Sequence, residues 1–257
     1  MLLSLKVKDI LFKDRFNLIV VNDYLEKSKF QVLRDNYPED IHFDNKNIFA
    51  LTLTDKDQKF QEFLNKNETW NNFVNQIKSQ EFIKDLISIY KLKFVYSSEK
   101  DLRRFFPFFK KVKLELTFNK SKKGSYSDPH TDVTRKILSF VLFFTSDEWN
   151  KNDGGIVKLF KPKLHADEDN WRNIITPEHK LDLIDTIFPS SNKIYGFKKS
   201  KNSYHSVSSV NCDNNKSRDV FMINLSFSNE RDIPHSNLSI FRRAVKKLSK
   251  ILKLKFV

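Results

Sequence analysis

Three side chains in two separate parts of the sequence have the chemistry of a metal site. His130 and Asp132 stand two residues apart before an apolar stretch, and His205 lies in a later strand-like segment. Alternate side chains of an extended chain share a face, so His130 and Asp132 point the same way. Two imidazoles and one carboxylate leave three metal positions open, which suits non-haem Fe(II) with an oxidising cosubstrate. We therefore predict that these three residues bind the metal and carry the catalysis.

Arg218 is the predicted partner for a carboxylate near this metal. It begins a strand 13 residues after His205, and a hairpin of that length folds the second strand back beside the first. A guanidinium can hold a carboxylate through two parallel hydrogen bonds. If Arg218 faces inward, so do Val220, Met222, Asn224 and Ser226. The outward face then consists of Phe221, Ile223, Leu225 and Phe227. A more polar inward face and an apolar outward face are typical of a β-barrel that binds a ligand at its open end.

The elements that position these residues are predicted to be helical first and β-rich afterwards. A strand at 16–21 precedes apolar residues at helical spacing in the ranges 23–33, 56–64 and 70–90. From about residue 110 apolar residues recur at every second position, which is the pattern of a β-strand with one buried face. Strands are predicted at 112–118, 137–144, 156–160, 193–197, 204–210 and 219–227. Short strands at this spacing favour a sandwich or barrel.

The predicted fold class is α+β, with a double-stranded β-helix (jelly-roll) core in a single domain, 1–257. Residues 1–109 are expected to form a mainly helical support, and residues 110–230 the jelly roll. A basic helix is predicted for residues 231–257. The segment Lys161–Asp185, which contains His165 and His179, is interpreted as an insertion that is either a substrate lid or a surface excursion.

The pattern resembles the Fe(II)- and 2-oxoglutarate-dependent oxygenases, in particular their prolyl 4-hydroxylase-like branch. The resemblance covers about residues 110–230. It is carried by His130-x-Asp132, the apolar strand after it, the Asp153-Gly154-Gly155 turn, His205 and Arg218. It implies that His130, Asp132 and His205 bind Fe(II), and that Arg218 binds the distal carboxylate of 2-oxoglutarate. It also implies O₂ as a cosubstrate and allows ascorbate as a further cofactor.

The resemblance further implies that 2-oxoglutarate is converted to succinate and CO₂ while a substrate is oxidised. Relatives that halogenate have a small residue in place of the metal-binding carboxylate, so Asp132 favours hydroxylation. Many relatives carry a tyrosine on the strand after the His-x-Asp pair, where this chain has Phe140, Phe143 and Phe144. Met222 stands where a hydroxyl-bearing residue often helps to hold the carboxylate. Tyr126 and Tyr195 are the two candidates for the missing hydroxyl, and the sequence does not choose between them.

The charge of the chain raises the question of an acidic partner. The formal net charge is +14, and seven of the cations lie in the range 242–255, which contains no acid. Docking of this amphipathic tail onto the domain is preferred over peripheral contact with a membrane. Relatives that dealkylate DNA or RNA usually have a second arginine six residues after the first, where this chain has Asn224. Nucleic acid is therefore not a favoured partner.

The composition limits the classes of protein to which the chain can belong. Hydrophobic residues make up 39% of the chain, which disfavours intrinsic disorder. There is no apolar run of the roughly 20 residues that a membrane-spanning helix needs, and we identify no signal peptide, so the predicted location is cytoplasmic. The single cysteine, Cys212, excludes an internal disulfide and a cysteine-based zinc site.

Three functions are compatible with these patterns. The leading one is a dioxygenase that hydroxylates a small molecule, a sugar or a peptidyl residue. The alternative is a non-catalytic jelly-roll module that binds an acidic ligand through its basic surface. A cupin with different metal chemistry ranks third, because its usual His-x-His and downstream glutamate are absent.

Overall fold

Two antiparallel sheets form the β-rich part of the protein. The structure is a computed structural model and describes residues 17–43, 50–90, 92, 112–163, 175–200 and 202–228. The strands are β1 (Ile19–Val21), β2 (Ala50–Thr54), β3 (Val112–Ser121), β4 (Ser127–His130), β5 (Lys136–Phe143), β6 (Val157–Pro162), β7 (Leu181–Ile187), β8 (Ile194–Lys198), β9 (Tyr204–Val207) and β10 (Arg218–Phe227). The major sheet has the order β1-β8-β5-β10-β3-β2, and the minor sheet has the order β4-β9-β6-β7.

In the part of the chain that the structure describes, four helices pack on the outer face of the major sheet. They are α1 (Lys27–Asp35), α2 (Gln58–Lys66), α3 (Glu68–Ile77) and α4 (Gln80–Ile89). Trp70 of α3 is fully buried, and its ring lies 4.6 Å from Phe118 and 5.2 Å from Phe221 of the sheet. The Ser79 hydroxyl accepts a hydrogen bond from the Phe82 amide, and this N-cap starts α4. The predicted helical range 70–90 is therefore two helices.

The two faces of β10 have the predicted roles. Phe221, Ile223 and Leu225 belong to the hydrophobic cluster that the helices cover. Val220 lies in a second cluster between the sheets, where it joins Val157 of the minor sheet. Strand β5 is likewise buried on both faces, as its nearly unbroken apolar sequence predicts. The period of two thus separates a helix-covered face from a face directed at the other sheet.

Several predictions of individual elements need correction. Strand β2 was not predicted, although it pairs with β3 at the edge of the major sheet. The interpretation of 161–185 as an insertion is wrong for its last residues, because Leu181–Ile187 pairs with β6 in the minor sheet. The basic helix at 231–257 and His165 lie outside the described residues. Among the residues that are described, no helix is both long and apolar enough to cross a bilayer.

Glu115 of β3 is the basis of a pH-dependent contribution to stability. Its carboxylate is within 3.2 Å of Lys56, Lys113 and Arg135 and accepts a hydrogen bond from Ser226. Burial raises its pKa, but the hydrogen bonds and cations outweigh burial and bring it down to about 2. A depressed carboxyl pKa stabilises the fold above the unfolded pKa and loses that effect as the pH falls towards 2.

We expect Glu115→Gln to lower the free energy of unfolding at pH 7 by about 1–2 kcal/mol, because its cations are partly exposed and screened. The difference from the wild type should shrink as the pH is lowered from 4.5 towards 2. Urea unfolding at several pH values measures both quantities. Glu148→Gln is the control, since Glu148 is 82% exposed and lies 3.8 Å from Lys216. A Glu115→Gln difference that does not vary with pH would contradict the assignment.

Candidate metal and cosubstrate site

A cavity of about 270 Å³ opens between the two sheets and contains the predicted site residues. His130 ends β4 and lies directly opposite His205 of β9, because the two strands are paired at these residues. Asp132 follows two residues after His130 and lines the same cavity. Arg218, Tyr126 and Tyr195 line it as well. Side chains from distant parts of the sequence therefore converge on one space.

The three predicted metal ligands are close enough to share one ion. One donor atom from each of His130, Asp132 and His205 lies within 4.8 Å of the other two. The two imidazole rings have centroids 4.5 Å apart. His205 is buried, and burial lowers its pKa to about 4, so its ring is neutral near pH 7. A neutral imidazole has a lone pair available for a metal.

Backbone carbonyls fix the orientation of both imidazoles. His130 Nδ1 lies 2.8 Å from the carbonyl oxygen of Asp128, and His205 Nδ1 lies 3.1 Å from that of Ser203. A carbonyl only accepts, so each Nδ1 carries the hydrogen and donates it. The lone pair of each ring is therefore on Nε2. This is the usual way in which proteins select the tautomer of a metal-binding histidine.

Asp132 is held in its ionised form by its surroundings. Lys136 Nζ is 2.7 Å from one carboxylate oxygen, and the Ser139 hydroxyl donates to the other at 2.6 Å. Burial raises the pKa of Asp132, but the charge of Lys136 and these hydrogen bonds outweigh it, so the pKa is lowered. The buried Lys199 donates to the backbone carbonyl of Asp132. Two imidazoles and an ionised carboxylate are the donor set that Fe(II) sites of this type require.

Arg218 lies at the other end of the cavity in a neutral environment. Its Nε donates to the Gly155 carbonyl at 2.9 Å, and its guanidinium donates to the Tyr195 hydroxyl. The guanidinium carbon is 5.0 Å from the centre of the Phe143 ring. Burial lowers the pKa of Arg218, and among the described residues no carboxylate pairs with its guanidinium. A buried guanidinium with only neutral hydrogen-bond partners is suited to bind the carboxylate of a ligand.

Tyr195 and Tyr126 differ in their relation to Arg218. Tyr195 is buried on β8, and its hydroxyl is hydrogen-bonded to the guanidinium. Tyr126 is 66% exposed at the rim of the cavity. Phe143 contacts Arg218 through its ring face, so the hydroxyl next to the arginine comes from the neighbouring strand β8 and not from β5.

Comparison with known proteins agrees with this geometry. Residues 116–220 match the family model described as the 2OG-Fe(II) oxygenase superfamily, and this range includes His130, Asp132, His205 and Arg218. The match confirms the resemblance noted in the sequence. Together with the clustered His130, Asp132 and His205, it supports Fe(II)- and 2-oxoglutarate-dependent dioxygenase chemistry at this site. A search of curated proteins found no match to the chain.

Two solved structures have a fold similar to that of this chain. A structure described as prolyl 4-hydroxylases from Phytophthora capsici is 15% identical, with a TM-score of 0.55 over 96% of this chain and 71% of that one. IDO from Bacillus thuringiensis is 12% identical, with a TM-score of 0.53 over 88% of this chain and 99% of that one. At these identities the two likenesses show the fold alone.

Sequence reasoning missed three residues that support the oxygenase site. Lys136 and Ser139 bind the Asp132 carboxylate, and Lys199 binds its backbone carbonyl. The alternation of β5 places Ser139 on the cavity side, which was the one available signal. Lys136 and Lys199 resemble ordinary strand-end lysines in the sequence, and the contacts that distinguish them depend on tertiary packing.

Gly155 is the residue of the Gly-Gly turn that shapes the Arg218 pocket of the oxygenase. Its φ is +67°, and a Cβ added there would lie 2.6 Å from Arg218 Cδ. We expect Gly155→Ala to displace the guanidinium and to raise the KM for 2-oxoglutarate by roughly tenfold, the equivalent of one lost charge-assisted hydrogen bond. Steady-state succinate formation measures this change.

The control for Gly155→Ala is a glycine with a similar backbone requirement. Gly124 has φ +87° and lies in a separate turn, where its amide donates to the Val210 carbonyl. Gly124→Ala should destabilise the fold by about 1–2 kcal/mol through the left-handed backbone, with a smaller effect on the KM. Equal KM values for Gly155→Ala and the wild type would contradict the role of the turn.

Proposed function

We propose that this dioxygenase hydroxylates a small molecule, a sugar or a peptidyl residue. The observation that carries the proposal is the convergence of His130, Asp132 and His205, with donor atoms within 4.8 Å, in the same cavity as the buried Arg218. The ionised Asp132 completes a three-ligand set and leaves coordination positions for other groups. Its presence favours hydroxylation over halogenation.

In this proposal His130, Asp132 and His205 hold Fe(II), which supplies oxidative decarboxylation of 2-oxoglutarate with O₂. Arg218 binds the distal carboxylate of 2-oxoglutarate bidentately, and the Tyr195 hydroxyl orients the guanidinium. Tyr126, at the rim, is a candidate contact for the cosubstrate or the substrate. Val141, Val220 and Met222 line the cavity between these ends and limit the access of water. Ascorbate is proposed only as an auxiliary reductant.

The finer features of the fold also belong to the proposal. We infer that residues 1–257 form one domain with a double-stranded β-helix core. The support for a helical buttress at the N-terminal end is that α1–α4 share a hydrophobic cluster with the outer face of β10. A basic helix at 231–257, docked onto this domain, remains a prediction. The cytoplasmic location also remains a prediction, with nucleic acid an unfavoured partner and peripheral membrane contact through the C-terminal helix the less favoured alternative to docking.

Formation of succinate from 2-oxoglutarate tests the proposal. Purified protein with Fe(II), O₂ and 2-oxoglutarate is incubated with free amino acids, peptides and sugars in turn. We expect succinate formation that requires Fe(II) and O₂ and increases with a substrate, whose product gains one oxygen atom by mass spectrometry. A protein that forms no succinate under any condition, yet binds an acidic ligand without metal, would instead be a non-catalytic module.

A further inference from the structure

The cavity contains one positive charge more than the metal and the cosubstrate account for. Among the described residues that line it, the side chains with a full charge at neutral pH are Asp132, Lys136 and Arg218. Fe(II) brings two positive charges and 2-oxoglutarate brings two negative charges, which cancel. Asp132 balances one of the two cations that line the cavity. One lining positive charge is therefore left in a partly closed space of low dielectric, where an unpaired charge is unfavourable. The buried Lys199, which contacts the backbone carbonyl of Asp132, adds positive charge to this region and does not offset it.

The excess charge belongs to Lys136 and not to Arg218. Arg218 lies over Phe143 at one end of β5, and Lys136 is the first residue of the same strand. Lys136 and Phe143 are seven residues apart in extended chain, so their Cα atoms are separated by about 23 Å. A 2-oxoglutarate molecule that extends from the metal towards Arg218 runs away from the Lys136 end. The ammonium group is therefore on the opposite side of the metal site from the distal carboxylate.

The present partner of Lys136 is one that the metal competes for. Its Nζ is 2.7 Å from a carboxylate oxygen of Asp132. When Asp132 donates electron density to a cation, its attraction for the ammonium group weakens. The other partner of the carboxylate, Ser139, is 5% exposed and fixed on a strand, whereas the Lys136 side chain is 21% exposed at the strand end. Lys136 is thus the partner that can turn to a ligand in the cavity.

The residues around Lys136 are suited to a polar, anionic group. Ser139 and Asn224 are directly paired on β5 and β10, and both line the cavity. Beyond the register shift between Leu225 and Ser226, Lys136 is paired with Ser226. The Ser139 hydroxyl hydrogen is used by Asp132, but the Asn224 amide group beside an ammonium group provides a donor and a positive charge, which carboxylates and phosphates require.

We propose that the substrate of this enzyme carries a carboxylate or phosphate group and that Lys136 binds it. Lys136 is then the specificity-determining residue at the end of the cavity opposite Arg218. The inference rests on the proposed function, because it assigns to Fe(II) and 2-oxoglutarate the other charges of the cavity. It narrows the substrate to anionic compounds, such as free amino acids, peptides with a terminal carboxylate, or sugar phosphates.

Binding of simple anions to the loaded protein tests this inference. Acetate and inorganic phosphate are titrated calorimetrically and anaerobically into protein loaded with Fe(II) and 2-oxoglutarate. We expect Lys136→Met to weaken binding of the preferred anion at least tenfold and Lys136→Arg to restore most of it. The comparison of acetate with phosphate distinguishes the two sources of negative charge. Lys158→Met is the control, since Lys158 also pairs with a carboxylate, Glu178, at 2.9 Å.

Matched substrates extend the test to turnover. Free amino acids are compared with their amides, and sugar phosphates with the parent sugars, as stimulators of succinate formation. We expect the anionic member of an active pair to have a KM at least tenfold lower, with this preference lost in Lys136→Met. A neutral compound that stimulates equally well would overturn the inference.

Two further results separate this inference from the proposed function. If Lys136→Met weakened 2-oxoglutarate binding tenfold and left anion binding unchanged, Lys136 would serve the cosubstrate and the inference would be wrong. If wild-type protein did not bind Fe(II) and 2-oxoglutarate at all, the proposed function would fail together with it. Normal loading with equal anion affinities in the wild type and Lys136→Met would contradict the inference alone.

Discussion

His205→Ala is expected to abolish turnover and Fe(II) binding while the protein remains folded. His205 is 9% exposed, and its Nε2 is directed by the bond between Nδ1 and the Ser203 carbonyl. Loss of groups that only support a metal ligand lowers metal affinity 10- to 100-fold, so loss of a ligand itself should lower it by at least about 100-fold. Succinate formation should fall to the background, and metal analysis after gel filtration should show little iron.

A histidine outside the cavity provides the matched control for this prediction. His179 lies exposed in the short 3₁₀ turn Glu178–Lys180. His179→Ala should retain the iron content and the rate of the wild type. Circular dichroism and thermal unfolding establish that both variants are folded. A folded His205→Ala protein with normal iron content and normal succinate formation would exclude the metal site described above.

Arg218→Met should retain iron and lose affinity for 2-oxoglutarate. Arg218 is 4% exposed, and its guanidinium is hydrogen-bonded to Gly155 and Tyr195, both neutral groups. Truncation of one partner of a buried charge pair costs about 2–5 kcal/mol, which corresponds to roughly a 30- to 5,000-fold increase in Kd. Arg218→Lys should recover only part of the affinity, because an ammonium group cannot form the bidentate pair.

Two further variants provide a comparison for the loss of 2-oxoglutarate affinity in Arg218→Met. Tyr195→Phe removes one hydrogen bond to Arg218 and should raise the Kd for 2-oxoglutarate by about fivefold, the effect of roughly 1 kcal/mol. Arg34→Met is the control, since Arg34 pairs with Asp147 on the surface at 2.7 Å. Anaerobic titration with 2-oxoglutarate in the presence of Fe(II) measures the Kd of all four variants and of the wild type. Wild-type affinity in Arg218→Met would place the distal carboxylate elsewhere.

The sequence predicted the parts of the site that depend on strand alternation. His130 and Asp132 share a face because they are two residues apart in extended chain, and the inward and outward faces of β10 follow from the same period. The pairing of β4 with β9, which brings His130 against His205, is a long-range contact that no local pattern encodes. It could be inferred only from the resemblance to a known family.

Other features could not be read from the sequence for identifiable reasons. Strand β7 has Asp182 and Asp185 among its residues and leaves Leu183 55% exposed, so its pattern does not resemble a buried strand. Both it and β2 lie at the edges of their sheets, where one side is unpaired and the sequence is less constrained. Tyr195 and Tyr126 were equivalent candidates, and only the packing of β8 against β5 places Tyr195 beside Arg218.

Anaerobic optical titration with Fe(II) and 2-oxoglutarate is the most direct test of the central claim. A keto acid that chelates iron held by His130, Asp132 and His205 should produce a visible charge-transfer band that saturates at one equivalent of metal per chain. The band should be absent in His130→Ala and present in His179→Ala. If the wild-type protein gives no such band, or if His130→Ala gives it with undiminished intensity, these three residues are not the iron site.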